Sequence, residues 1–150
     1  MDLGLAGKAC IVTGASRGIG LAVAERLCQA GAGTLLVARS AERLETAAAS
    51  LQEHPGKAKA LALDVTAPDA AERIHAAAHE AFGRVDVLVN NAGSAQWRAL
   101  DDVPDEDWYA AWELNVMAPL RMMRAVIPEM RERGFGRVVN VASTAGKRPS

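Results

Sequence analysis

Thr13-Gly14-Ala15-Ser16-Arg17-Gly18-Ile19-Gly20 is the stretch that decides the fold. It follows a short β-rich run, Lys8–Thr13, and opens a segment in which Ile19, Val23 and Leu27 recur with helical spacing. A strand therefore passes into a helix through a turn rich in glycine. Gly14 permits the sharp turn, Gly18 a close approach of backbone to a bound group, and Gly20 tight packing of helix on sheet. The helix N-terminus behind the turn presents N–H donors without intrahelical partners, which suits a pyrophosphate. A glycine-rich turn with no ligand would show the same spacing. The strand before it and the helix after it favour the anion site.

Working outward, Thr34–Ala38, Ala58–Leu63, Val85–Val89 and Arg137–Val141 are further strand candidates. Each is nearly continuous in apolar character, as expected of strands buried on both faces of a parallel sheet. Leu44, Ala48 and Leu51, then Ile74, Ala77 and Ala81, predict two more crossover helices. A longer helix is predicted from about Pro104 to Arg133. Its apolar face carries Trp108, Trp112, Val116, Leu120, Met123, Ile127 and Met130, with bends at Pro119 and Pro128. Right-handed βαβ crossovers make this an α/β fold, a doubly wound parallel sheet with ligands beyond the carboxyl ends of its strands.

The 150 residues, 50% hydrophobic, suit a single domain over 1–150, with no linker or internal repeat. A formal net charge of −1 leaves no electrostatic footprint for nucleic acid or an anionic membrane. No charged-then-apolar leader is evident, and no apolar run approaches the roughly 20 residues of a membrane span, so a cytoplasmic protein is expected. Cys10 and Cys28 lack a Cys-x-x-Cys spacing and are expected to be buried, inert thiols.

Further motifs follow the later strands. Asp64-Val65 comes after the third and Asn90-Asn91-Ala92-Gly93 after the fourth. Asn115 lies in the long helix, and Gly136-Arg137-Val138-Val139-Asn140-Val141-Ala142-Ser143 forms the fifth strand and its end. With the Thr-Gly-x-x-x-Gly-x-Gly turn, their order and spacing cover almost the whole chain, and the sequence resembles the short-chain dehydrogenase/reductase family. The resemblance implies a Rossmann-like dinucleotide-binding domain that lacks the family's C-terminal strands. It implies cofactor binding by Gly14, Ser16, Arg17, Gly18, Ile19, Gly20, Arg39, Asp64, Val65, Asn90, Asn91, Ala92 and Gly93. Two of these assignments have plainer alternatives: Asp64, or Thr66, as a cap for the next helix, and Asn90 to Gly93 as a turn tolerant of left-handed backbone.

The second strand ends Leu36-Val37-Ala38-Arg39-Ser40, with Ala38 where the family's NAD-type members tend to carry aspartate. Arg39 follows directly, and Arg17 matches a basic position common among NADP-preferring members. By resemblance the cofactor is NADP(H), with both guanidinium groups on the 2′-phosphate. Ordinary solvated arginines are the alternative.

For catalysis the resemblance implies Ser143 as the hydrogen-bond donor to the substrate oxygen. Asn115 would help to hold a water in a proton relay. A core amide pinning helix to sheet is a compatible reading of Asn115, since an unpaired amide on an apolar stripe would cost about 1–3 kcal/mol. The family's tyrosine and its lysine four residues later are expected beyond Ser150. Tyr109 is followed at that spacing by Glu113, so it serves packing or the surface. His75 and His79 are spaced i, i+4, but no third ligand is evident, and no metal is expected. The methionines suit core or subunit contacts, and Trp97 either walls the substrate pocket or simply packs.

The sequence thus points to the cofactor-binding part of an NADPH-dependent oxidoreductase that interconverts a small-molecule carbonyl and a secondary alcohol. A homo-oligomer, dimer or tetramer, is implied by resemblance. The rival is a non-catalytic NADP-binding sensor or interaction module. A Tyr-x-x-x-Lys following Ser150 would separate the two. A polypeptide limited to 1–150 is expected to be inactive, with Val138, Val139 and Val141 forming an uncovered apolar edge.

Overall fold

The computed structural model describes residues 3–94 and 99–144. Strands β1 (Ala9–Thr13), β2 (Gly33–Ala38), β3 (Ala58–Ala62), β4 (Val87–Asn90) and β5 (Arg137–Asn140) form one sheet in the order β3-β2-β1-β4-β5. Every pairing is parallel. Helices α1 (Gly18–Gln29), α2 (Ala41–Ser50), α3 (Ala70–Phe82), α4 (Asp105–Trp112) and α5 (Ala118–Glu132) connect the strands. The chain winds outward from β1 in both directions, which is the expected doubly wound sheet and puts a crevice at the carboxyl end of β1.

Alternation along the strands divides the core into two layers. Cys10, Val12, Leu36, Val87 and Val89 face the α1 and α2 side with Ala24, Cys28 and Leu44. Ile11, Leu35, Val37 and Leu88 face the other side with Ile74, Met122 and Val126. Both layers are needed because β1 is buried at every position. The edge strands depart from the expected two-sided burial. Lys59 and Ala60 in β3, and Arg137, Val139 and Asn140 in β5, are exposed, since among the described residues each edge strand has a neighbour on one side only. Burial holds both cysteines as free thiols and, with the Asp86 charge, pushes Cys10 up to about 12.

Helix faces differ from the sequence expectation in an instructive way. In α1 the buried ridge is Gly20, Ala24 and Cys28, whereas Ile19 is 63% exposed. A Cβ on Gly20 would run into the Gly14 carbonyl, so the first turn of the helix lies too close to the glycine turn for any side chain at that position, while Val23 and Leu27 are half-buried against the core. Helix α2 buries Leu44 and Ala48, and Leu51 is buried at its C-cap, as expected. Helix α3 buries Ala70, Ala71, Ile74 and Ala78, leaving Ala81 exposed just before the left-handed Gly83 cap.

The expected single helix from Pro104 to Arg133 is three segments. A π-turn, Glu113–Met117, separates α4 from α5. Pro119 has no N–H to offer the Asn115 carbonyl, and its ring crowds that position, so the ladder widens there. The change of phase moves the buried stripe of α5 to Ala118, Met122, Val126 and Met130. Trp108 and Trp112 are 55% and 60% exposed, and Val116 is exposed too. Among the described residues, no helix is long and apolar enough to cross a membrane.

Candidate active site

At the carboxyl end of β1 the backbone turns through Gly14 at φ +66°. A Cβ there would lie 2.9 Å from the Ala92 Cα, so glycine is required by close approach as well as by the turn. Gly18, at φ +57°, faces open space, as expected where a ligand comes near the backbone. Helix α1 starts behind it, with Arg17 as an extended N-cap that makes no side-chain capping bond. Helix α2 is different, because the Ser40 hydroxyl accepts from the Arg43 N–H. The uncapped α1 terminus keeps its donors and its positive dipole end for an anion.

Thr13 ties this turn to the segment after β4. Its hydroxyl oxygen accepts from the backbone N–H groups of Asn91 and Ala92, each at 3.0 Å. The Asn91 amide returns two bonds, to the carbonyls of Thr13 at 3.0 Å and Gly14 at 3.2 Å. Asn91 to Gly93 thus form one wall of the site while Asn91 holds the glycine turn in shape. Asn90 lies on the strand itself, buried, its amide donating to Asn140 Oδ1 at 2.8 Å. It braces β4 against β5 and does not line the cleft.

The cleft bounded by these walls has a volume of about 1560 Å³ over the described residues, above the roughly 300–1,000 Å³ of ordinary small-molecule pockets. Gly14, Ser16, Arg17, Gly18 and Ile19 form its floor, and Asn91, Ala92 and Gly93 one side. Arg39, at the end of β2, and Asp64 and Val65, after β3, line its far end. Gly20 falls outside the lining, as befits a packing residue. Asp64 Oδ1 accepts from the Thr66 N–H at 2.9 Å and the Thr66 hydroxyl at 2.8 Å. These bonds, the backbone one foremost, with help from Arg39, hold its carboxyl below the ordinary range against the opposing effect of burial. Asp64 therefore orders a turn and does not cap α3, whose N-cap is Asp69.

Asn115 is exposed on the π-turn, contrary to the expected apolar stripe. Its amide donates to the carbonyls of Ala111 at 2.9 Å and Ser94 at 3.3 Å, and a Cβ on Gly93 would meet its Oδ1 at 2.9 Å. It anchors the chain leaving β4 to the π-turn. Ser143 is exposed just beyond β5, whose register with β4 pairs Asn140 with Asn90. It shares the carboxyl edge of the sheet with the glycine turn. Tyr109 is 72% exposed on α4, a surface hydroxyl. Trp97 and Ser150 lie outside the described residues.

Residues 8–150 match the family described as short chain dehydrogenase. The chain belongs to the short chain dehydrogenase family. It is 42% identical over 148 residues to a short chain dehydrogenase of Pseudocercospora fijiensis, covering 97% of this chain and 48% of that protein. It is 39% identical over 145 residues to the 3-oxoacyl-[acyl-carrier-protein] reductase FabG of Vibrio cholerae, covering 96% and 58%. Among solved structures, L-sorbose reductase from Gluconobacter frateurii, complexed with NADPH and L-sorbose, superposes with a TM-score of 0.95. That match has 40% identity and covers 100% of this chain and 57% of the other. The chain spans about half the length of the relatives it matches.

In this short chain dehydrogenase the contributors to the site beyond the motif positions include Thr13, Arg43 and, on α4, Asp107, Trp108 and Ala111. Thr13 is the first residue of the glycine motif, and its hydroxyl is the joint between the two glycine-bearing loops. Arg43 reaches the same end of the cleft as Arg39. Its placement one helical turn after Arg39, across the Ser40 cap, was a readable signal.

Proposed function

We propose that this chain is the cofactor-binding part of an NADPH-dependent oxidoreductase interconverting a carbonyl and a secondary alcohol by hydride transfer. One observation carries the reading. The uncapped N-terminus of α1 opens on a cleft lined by Arg17 in its floor and by Arg39 and Arg43 at its far end, with Ala38 at the end of β2 in place of a carboxylate. These residues fit a phosphorylated dinucleotide. The α1 donors and the open space beside Gly18 would take the pyrophosphate, the arginines a 2′-phosphate, and Asp64 and Val65 the adenine end. The L-sorbose reductase that holds NADPH supports the same choice.

Bound there, NADPH would supply the hydride. The chain's own residues shape and hold the site. Thr13 and Asn91 keep the glycine turn open, and Asn115 fixes the wall at Gly93 and Ser94. Ser143 would donate a hydrogen bond to the substrate oxygen on which negative charge develops, the kind of contact that stabilises a transition state selectively. We assign the proton donor to a Tyr-x-x-x-Lys carried beyond Ser150, since the sole tyrosine, Tyr109, sits on α4 and is followed by Glu113. The exposed Tyr109 and Trp112 support association of copies through α4, whereas Trp108 lines the cleft.

The test compares the complete enzyme with a polypeptide limited to residues 1–150, following NADPH oxidation against a panel of ketones. Turnover by the complete enzyme alone is expected, because a positioned acid contributes about 10²–10⁴-fold. Clear turnover by 1–150 would refute the assignment of the proton donor.

A further inference from the structure

The amino-terminal end of the sheet, opposite the cofactor cleft, carries a second cluster of chemically able groups. His75 and His79 sit one turn apart on α3, their ring centroids 4.7 Å from each other. Glu129 reaches them from α5. Its Oε2 lies 2.7 Å from His75 Nε2 and is also bonded to His79 Nε2. Its Oε1 is occupied otherwise, accepting from the Val85 N–H at 2.9 Å and from Arg133. Arg133 is held in turn by the Val85 carbonyl and the buried Asp86. One carboxylate oxygen is thus fixed by the protein frame, while the other is presented to two imidazoles. The histidine side chains are 29% and 40% exposed, which leaves a path from solvent.

We propose that His75, His79 and Glu129 form a binding site for a divalent first-row transition ion, of the zinc, nickel or copper type. Two histidines at i, i+4 on one helix face present their nitrogens to one point, and a carboxylate from a second helix completes a three-ligand set. The ligand atoms all lie within 4.8 Å of one another. Bonds of about 2.0–2.1 Å at right angles place neighbouring ligand atoms about 2.9 Å apart, and tetrahedral angles about 3.4 Å. The 2.7 Å separation of His75 Nε2 from Oε2 is close to the first value, so a small opening of the rotamers admits the ion. Imidazole ligands favour these ions over magnesium or calcium. On binding, each neutral imidazole carries its proton on Nδ1 and offers the Nε2 lone pair. The hydrogen bonds to Oε2 are replaced by bonds to the metal.

Arg133 and the Val85 N–H then act as the outer support that orients the carboxylate, and they engage only the oxygen the ion does not need. Burial opposes the charge on Glu129, but hydrogen bonds from His79, Arg133, Val85 and His75 outweigh it and keep the carboxyl ionised well below its ordinary range. A metal here clamps α3 to α5 with open positions for water. It lies away from the nucleotide, so its loss leaves NADPH affinity unchanged.

The experiment uses the complete enzyme prepared without a polyhistidine tag and stripped of metal, titrated calorimetrically with Zn²⁺ and Ni²⁺ separately. One ion per chain is expected. His79→Gln, which keeps a donor for Glu129 and hence the helix contact, should weaken binding at least about tenfold. His54→Gln, removing the histidine beside Glu25 elsewhere in the chain, should leave binding unchanged. Cu²⁺ loaded into the unaltered enzyme should show electron-spin couplings to two imidazole nitrogens, a readout that needs no variant. No binding tighter than about 1 mM, equal binding by His79→Gln, or a copper signal without imidazole coupling would each overturn the site.

Discussion

Arg39→Ala is the sharpest perturbation of the nucleotide assignment. Arg39 is exposed at the end of β2 and lines the cleft with Arg17 and Arg43. Asp64 is the acidic group whose carboxyl feels its charge. A charge-assisted hydrogen bond contributes about 1.5–3 kcal/mol. Because Arg39 is solvated, the lower half of that range applies, and about 1.4 kcal/mol already corresponds to tenfold in affinity. NADPH should therefore bind at least about tenfold more weakly to Arg39→Ala. NADH has no 2′-phosphate and should lose less than about twofold. Arg17→Ala should act in the same sense, and the double variant should lose most of the discrimination.

Fluorescence titration of the complete enzyme with both nucleotides measures this directly. Ionic strength gives an internal check. Raising salt shortens the Debye length from about 10 Å at 0.1 M to about 3 Å at 1 M, so the NADPH preference of the unaltered enzyme should shrink as salt is added. Equal losses for NADPH and NADH in Arg39→Ala would show that the guanidinium acts on the common part of the nucleotide, and the reasoning from Ala38 and Arg39 would fail.

Other consequences follow from the same contacts. Ser143→Ala should lower kcat by about 10²–10³ with little change in NADPH affinity, as for removal of one oxyanion donor, and unchanged steady-state turnover would show that another serine does this work. Thr13→Val keeps the shape but leaves the N–H groups of Asn91 and Ala92 without their acceptor. It should cost at least about 2 kcal/mol in urea unfolding and weaken nucleotide binding, and unaltered stability would refute the bracing role. Glu129 is faced by His75, His79, Arg133 and the Val85 N–H, and its carboxyl is held below the ordinary 4.5. Its stabilisation is complete above that value and is lost as pH falls further. Glu129→Gln should thus be less stable at neutral pH and show a shallower acid limb, and identical acid limbs would contradict this.

What the sequence disclosed, and what it hid, follows from the range of the contacts involved. Strands and their order of appearance were legible because β-rich runs bounded by glycine and helix patterns are local signals. Helix faces were less so. The apolar spacing selects Ile19, Val23 and Leu27, of which Val23 and Leu27 are half-buried against the core and Ile19 is exposed, while the fully buried ridge of α1 is Gly20, Ala24 and Cys28. Trp108 lines the cleft and Trp112 is exposed, so this apolar face is not core, and periodicity cannot separate an interior stripe from one at a cleft or on the surface. The glycine turn and Arg39 were readable as motif positions. The partnership of Thr13 with Asn91 was not, since a hydroxyl bonding across 78 residues leaves no trace in local composition.

Glu129 is the clearest case. The histidine pair was visible as an i, i+4 spacing on one helix, while its carboxylate stands 54 residues from His75 on another. What brings them together is the crossover that lays α5 beside α3. That packing is fixed by Ile74 and Ala78 on one helix and Met122, Val126 and Met130 on the other, all buried in one layer of the core. The apolar stripes that build the fold thus set the polar groups between them at bonding distance. Substitutions that shift the α3–α5 contact, such as Ala78→Val, should therefore disturb the His75–His79–Glu129 cluster before they reach the nucleotide cleft at the other end of the sheet.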